Sequence, residues 1–254
     1  MRPIATRAAA LCAVLLTSIV SANAGTTNVA VAANFTDAAK DIAAAFRTKT
    51  GHDAVLSFGA SGQFYAQIRQ GAPYQVFLSA DDERPKKLAE EGLAVPESRF
   101  TYAIGKLVLW SRDANGVKGE ETLRANAFTK ISIANPTAAP YGAAAIETLK
   151  ALKLYDSLQP KIVMGNSIAQ AFQFIDTGNA ELGFVALSQL IGTSGGSRWM
   201  VPQDLYSPIR QDAVLLKSGA TDDASKAFLS FLKGPEARAI IEKYGYAMDT
   251  KSGS

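Results

Sequence analysis

Three times in this chain a short β-type run gives way to small residues and one hydrogen-bonding side chain, and a helix pattern begins at once. The stretches are Val29-Ala-Val-Ala-Ala-Asn34-Phe-Thr36-Asp37, Ala54-Val-Leu-Ser-Phe-Gly59-Ala-Ser61-Gly62, and Ile131-Ser-Ile-Ala-Asn-Pro136 running on to Pro140-Tyr141-Gly142. A helix start offers backbone N–H groups with no intrahelical acceptor and a partial positive charge of roughly +0.5. Several such starts aimed at one point make an anion site without any charged side chain. The pattern implies binding of a small oxyanion rather than catalysis.

Strand-like and helix-like segments alternate along most of the length, which implies an α/β fold with largely parallel sheets. Phe35, Ala38, Ala39, Ile42 and Phe46 recur at helical spacing after the first strand. The same reading predicts one longer strand over 103–111, turns and surface over 112–126, and a helix over 167–176. A strand over 211–217 then returns after Pro208, and two amphipathic helices close the chain. Two α/β units with a return strand imply two lobes, each a mainly parallel sheet flanked by helices, with the ligand in the cleft between them. The expected division is 25–104 plus 210–254 for one lobe and 105–209 for the other. Open α/β sheets bind ligands beyond the C-terminal ends of their strands, and hinge closure would bury the ligand.

The first 24 residues read as a cleaved secretory signal. Arg2 and Arg7 form a basic start, Ala8 to Val20 an apolar stretch too short for the ~20 residues of a membrane span, and Ala22-Asn23-Ala24 a small-x-small cleavage site. Removing them takes away the single cysteine, Cys12, so neither disulfides nor thiol chemistry are expected in the mature chain. The net charge of +3 falls to +1 with the loss of Arg2 and Arg7. Without a Lys/Arg-rich run this is no signature of a nucleic-acid partner. Charged residues at 19% and hydrophobic ones at 48% exclude disorder.

Each candidate loop also has an ordinary explanation. Asn34 or Ser61 at a helix start can simply be a cap, worth ~1 kcal/mol. Tyr141 can be a packed aromatic whose hydroxyl finds a nearby partner. Ser61 could serve a secreted hydrolase with His52, the only histidine. The nucleophile-elbow motif, however, needs glycine two residues after the serine, where this chain has Gln63. Asp81-Asp82-Glu83 hints at a cation, but adjacent carboxylates at a helix start more often serve its dipole. No His/Cys cluster for zinc and no spaced oxygen ligands for calcium follow the required patterns. No catalytic residue, cation site or cofactor is expected.

Colinear stretches nevertheless single out one family. They are Val31-Ala-Ala-Asn-Phe-Thr-Asp-Ala38, Ser57-Phe-Gly-Ala-Ser-Gly62, Ala66-Gln-Ile68, Gly71-Ala-Pro73, Val76-Phe-Leu-Ser-Ala-Asp81, Ala134-Asn-Pro136, Tyr141-Gly142, Glu181-Leu-Gly-Phe-Val185, Phe231-Leu-Lys-Gly-Pro-Glu236 and Tyr244-Gly-Tyr246. Over them the chain resembles the periplasmic molybdate-binding proteins that feed ABC importers, within the type II periplasmic-binding-protein superfamily. The resemblance implies a two-lobed fold, a periplasmic location, a monomer, a membrane-embedded ABC permease as partner, and molybdate, with tungstate comparably, as ligand. It implies contacts from Asn34, Ser61, Tyr141 and the backbone of Ile168. Many relatives have a tyrosine where this chain has Ala186, and Tyr141 is the expected substitute for its hydroxyl. A dianion that only accepts hydrogen bonds suits a pocket of donors, whereas phosphate near neutral pH usually brings a proton of its own. Sulfate or thiosulfate are the alternative ligands within the same class.

Overall fold

The computed structural model describes residues 24–249. The secretory-signal reading of residues 1–24 therefore lies outside the described residues except for Ala24, as do residues 250–254. Among the described residues no helix is long and apolar enough to cross a membrane.

The first sheet is built by β1 (Thr26–Ala32), α1 (Thr36–Thr50), β2 (Asp53–Gly59), α2 (Ser61–Arg69), β3 (Val76–Leu78), α3 (Glu83–Glu90) and β4 (Phe100–Gly105). The chain then builds a second sheet with β5 (Leu107–Ser111), α4 (Glu120–Ala125), β6 (Ile131–Ala134), α5 (Pro140–Ala151), α6 (Tyr155–Leu158), β7 (Ile162–Gly165), α7 (Ile168–Asp176), β8 (Leu182–Ala186) and β9 (Ser197–Met200). It returns to the first sheet through β10 (Ile209–Leu215) and ends in α8 (Asp223–Lys233) and α9 (Pro235–Lys243).

The strand orders are β2-β1-β3-β10-β4 and β7-β6-β8-β5-β9. In the first sheet only β10 runs against its neighbours, and in the second only β5 does. The two lobes thus repeat one plan, a mainly parallel sheet with a single reversed strand in the fourth position. The sequence reading of one strand over 103–111 is corrected here. That run holds the end of β4 and all of β5, which belong to different sheets on either side of Lys106. Its apolar residues gave one continuous pattern because both pieces are buried. The stretch 112–126, expected as turn and surface, contains α4 with Glu120 and Glu121 in its first turn.

The apolar spacing of α1 does what it predicts. Ala38, Ala39, Ile42 and Phe46 are buried against Val29 and Val31 of β1, Phe228 and Leu229 of α8 and Ile241 of α9. Burying a side chain the size of Ile42 or Phe46 is worth about 1.5–3 kcal/mol. The second lobe packs Ile131 and Ile133 of β6 and Leu107 and Leu109 of β5 against Ala144, Ala145 and Leu149 of α5. That core reaches across to the first sheet through small residues at its strand ends, Ala32, Ala33, Ala60 and Ala80, and through Ile209 at the start of β10.

The start of β6 is tied to β8 by Glu181, whose carboxylate accepts from the backbone N–H of Thr129 at 3.0 Å and of Lys130 at 2.9 Å, and from the Thr129 hydroxyl. Partial burial pushes this carboxyl up, but those donors outweigh it and hold its pKa at about 2, below the ordinary 4.5. A carboxylate with a depressed folded pKa adds stability that is present above the unfolded value and lost as pH falls toward the folded one. Glu181→Gln should therefore melt below the parent at pH 7, with the gap closing between about pH 4.5 and about pH 2. A gap that stays constant through that window in a melting series would contradict this role.

Candidate anion site

The four residues singled out by sequence line one cavity. Asn34, Ser61, Tyr141 and Ile168 share it with Ala32, Ala33, Gly59, Ala60, Ala80, Ala139 and Pro140. Its volume is about 10 Å³, room for about one water molecule. No charged side chain lines it.

Three helix starts meet there. Ser61 is the first residue of α2, Tyr141 the second of α5 after Pro140, and Ile168 the first of α7. The N–H groups of these first-turn residues have no acceptor within their own helix. Gly142 lets α5 come this close. A Cβ there would stand 2.1 Å from the Ala134 carbonyl oxygen at the end of β6. Ser167 caps α7, its hydroxyl accepting from Gln170 N–H at 3.3 Å.

Ser61 is not a cap. Its Oγ accepts the Ala80 N–H at 2.9 Å, which leaves its proton for another acceptor. Tyr141 is also not an ordinary packed aromatic, since its buried hydroxyl has no partner. Burial, helped by the nearby tyrosines 246, 102 and 206, holds that hydroxyl well above its usual pKa, and the Asn34 side chain opposes this only in part. Tyr141 therefore stays protonated and able to donate. Ile168 packs its side chain into the second core, and its carbonyl accepts from Gln189 Nε2 at 3.1 Å.

Asn34 departs from the capping explanation as well. It sits in a single 3-10 turn, Ala33–Phe35, and no side chain caps α1. Its Nδ2 donates to Gln211 Oε1 at 2.7 Å and to Tyr246 Oη at 3.0 Å. Its carbonyl accepts from Ser188 Oγ at 2.7 Å and Tyr246 Oη at 2.8 Å. Among the described residues three buried side-chain polar atoms lack a partner: Asn34 Oδ1, Tyr141 Oη and Gln211 Nε2. Gln211, Tyr246 and Ser188 were not singled out from sequence. The available signal was Arg210-Gln211-Asp212, three polar residues in a returning strand that is otherwise apolar.

Two further contacts join the lobes beside the cavity. Gly62 N–H donates to the Ala138 carbonyl at 2.9 Å, and Arg84 Nη2 donates to the Thr137 carbonyl at 2.9 Å.

The rival chemistries do not assemble. His52 Nδ1 accepts the Gly25 N–H at 2.9 Å and its ring stacks on Phe46. It lies before β2 and Ser61 after it, so a strand of 7 residues rising ~3.3 Å each separates the two by roughly 20 Å. No Ser–His pair forms. Asp81 accepts the Arg84 N–H at 2.9 Å and pairs with its guanidinium, which is service to the start of α3. Among the described residues no group of three or more His, Cys, Asp or Glu is placed to hold a metal ion.

Residues 27–247 match the family model described as bacterial extracellular solute-binding protein. The chain is 60% identical to the molybdate-binding protein ModA of Rhodobacter capsulatus over 228 residues, covering 90% of each. It is 54% identical to the molybdate-binding protein ModA of Azotobacter vinelandii, covering 90% of this chain and 92% of that one. Among solved structures, the Azotobacter vinelandii periplasmic molybdate-binding protein superposes with a TM-score of 0.85 at 46% identity, covering 88% of this chain and 99% of that one. With its two-lobed fold, a family match over nearly its whole length and relatives this similar, the chain belongs to the bacterial extracellular solute-binding proteins, in the branch of the ModA molybdate-binding proteins.

Proposed function

We propose that this chain captures molybdate, and tungstate comparably, in the periplasm and hands it as a monomer to a membrane-embedded ABC permease. It acts as a binding protein and not as an enzyme. The two lobes, 25–104 with 210–254 and 105–209, would close on the anion after removal of the signal segment. Asn34, Ser61, Tyr141 and the backbone of Ile168 would hold it.

The observation that carries the reading is the convergence of three helix starts and two hydroxyl groups on one buried cavity with no charged wall. A dianion there is met by N–H and O–H dipoles already oriented in the fold, and the helix dipoles favour negative charge. Bonds to an ionised acceptor are roughly twice as strong as neutral ones. The Tyr141 hydroxyl also answers the alanine at 186. Ala186 ends β8 with no polar side chain, and a buried phenol from α5 supplies a donor to the same site.

A thermal-shift panel of molybdate, tungstate, sulfate, thiosulfate and phosphate tests the reading on the mature chain. Molybdate and tungstate should raise the melting temperature at the lowest concentrations, because a ligand bound only by the folded state stabilises it by mass action. Sulfate or thiosulfate acting at far lower concentration than molybdate would overturn the choice of ligand.

A further inference from the structure

Gln211 lies on β10 with its side chain fully buried. The pairing of β10 with β4 shifts register between Gln211, opposite Ala103, and Asp212, opposite Thr101, which leaves Tyr102 as the extra residue. Such bulges re-aim side chains and are frequent beside functional sites. Here Gln211 turns toward Asn34 and lies within 3.5 Å of the Tyr102 hydroxyl.

The hydrogen-bond network fixes which way the Gln211 amide faces. The Tyr246 hydroxyl has one proton, and both of its acceptors, the Asn34 carbonyl at 2.8 Å and Ser188 Oγ at 3.0 Å, lie away from the Asn34 side chain. It must then accept from the Asn34 side chain at 3.0 Å, so the atom facing it is Nδ2. That same nitrogen faces Gln211, which answers with Oε1 at 2.7 Å. Gln211 Nε2 is left buried and without a partner, as is Tyr141 Oη. Both border the space above Gly105, where a Cβ would stand 2.1 Å from Tyr141 Oη and 3.2 Å from Gln211 Nε2.

We propose that Gln211 is a positioning residue for anion binding: its Nε2–H and Tyr141 Oη, both unpartnered and bordering one space, meet when the anion binds, so that the amide donates to the Tyr141 lone pairs and directs the Tyr141 proton at the bound oxyanion. The inference rests on the reading of this cavity as the molybdate site. A hydroxyl that faces a fixed donor has only its own proton to offer elsewhere. Asn34 Oδ1 is a neutral acceptor in the same cluster, and a dianion outcompetes it for that proton because charge-assisted bonds are the stronger ones. Gln211 thus ties Asn34 on the first lobe to Tyr141 on the second and sets the donor sense of the contact between them.

A double-mutant cycle on molybdate affinity, read by calorimetry, tests this with Gln211→Met and Tyr141→Phe. In the parent, Gln211→Met should weaken binding about tenfold, the loss of one aligned bond to a charged ligand. In the Tyr141→Phe background it should cost less than about twofold, because the hydroxyl it aligns is gone. The same loss in both backgrounds would overturn the proposal, as would a Tyr141→Phe chain that binds as tightly as the parent. If Gln211→Met does not fold, the side-chain amide resonances of Gln211 serve in its place. They should move on molybdate addition in the parent and stay put in Tyr141→Phe, and movement in both would contradict the role. Failure of the unaltered chain to bind molybdate would instead defeat the reading of function itself.

Discussion

Ser61→Ala should weaken molybdate binding roughly ten- to a hundredfold, and Tyr141→Phe by a similar factor. Losing one hydrogen bond to a charged ligand costs about 1.5–3 kcal/mol, and each 1.4 kcal/mol is tenfold in affinity. The two variants should part in their ligand-free stability. Ser61→Ala removes the acceptor of the Ala80 N–H and should cost about 1 kcal/mol. Tyr141→Phe removes a buried hydroxyl that has no partner, so the free protein should melt no lower than the parent and can melt higher. Calorimetric titration with a melting curve for each free variant checks both halves. Unchanged affinity in both variants would move the site elsewhere.

Gly142→Ala should be costly to folding. The added Cβ would lie 2.1 Å from the Ala134 oxygen and 2.7 Å from its carbonyl carbon, so backbone must give way rather than a flexible side-chain tip. Overpacking of this kind costs about 1–3 kcal/mol, against which the better helix propensity of alanine returns up to about 1 kcal/mol. Gly142→Val loses that gain and adds bulk, and should be the worse of the pair. Molybdate affinity should fall in both variants, because α5 can relieve the clash only by moving away from β6 and carrying Tyr141 with it. A Gly142→Val chain with parental melting temperature and parental affinity would contradict the close approach of α5 to β6.

Much of this was legible in sequence because it is local. Small residues after a strand and apolar periodicity after them announce a strand-to-helix loop wherever it occurs. Ser61, Tyr141 and Ile168 were placed at first turns by such signals, or by a resemblance that rests on them. What sequence could not give is which way the polar groups turn once distant segments meet. Asn34 gives its amide to partners 177 and 212 residues away, Gln211 and Tyr246. No periodicity links those positions. The break at Lys106 was hidden for a related reason: burial on both sides of the crossing made two strands of different sheets look like one. His52 and Ser61 were left as a possible pair because counting residue types ignores the length of β2 between them.

The central claim is that a dianion is held by neutral donors at converging helix starts. It is tested most directly by a crystal of the molybdate-soaked mature protein measured at the molybdenum absorption edge. The account predicts one anomalous peak in the cavity bounded by Ser61, Tyr141 and the first turn of α7, with no lysine or arginine among its direct contacts. A peak held by a cationic side chain such as Arg84, or one lying outside that cavity, would contradict it.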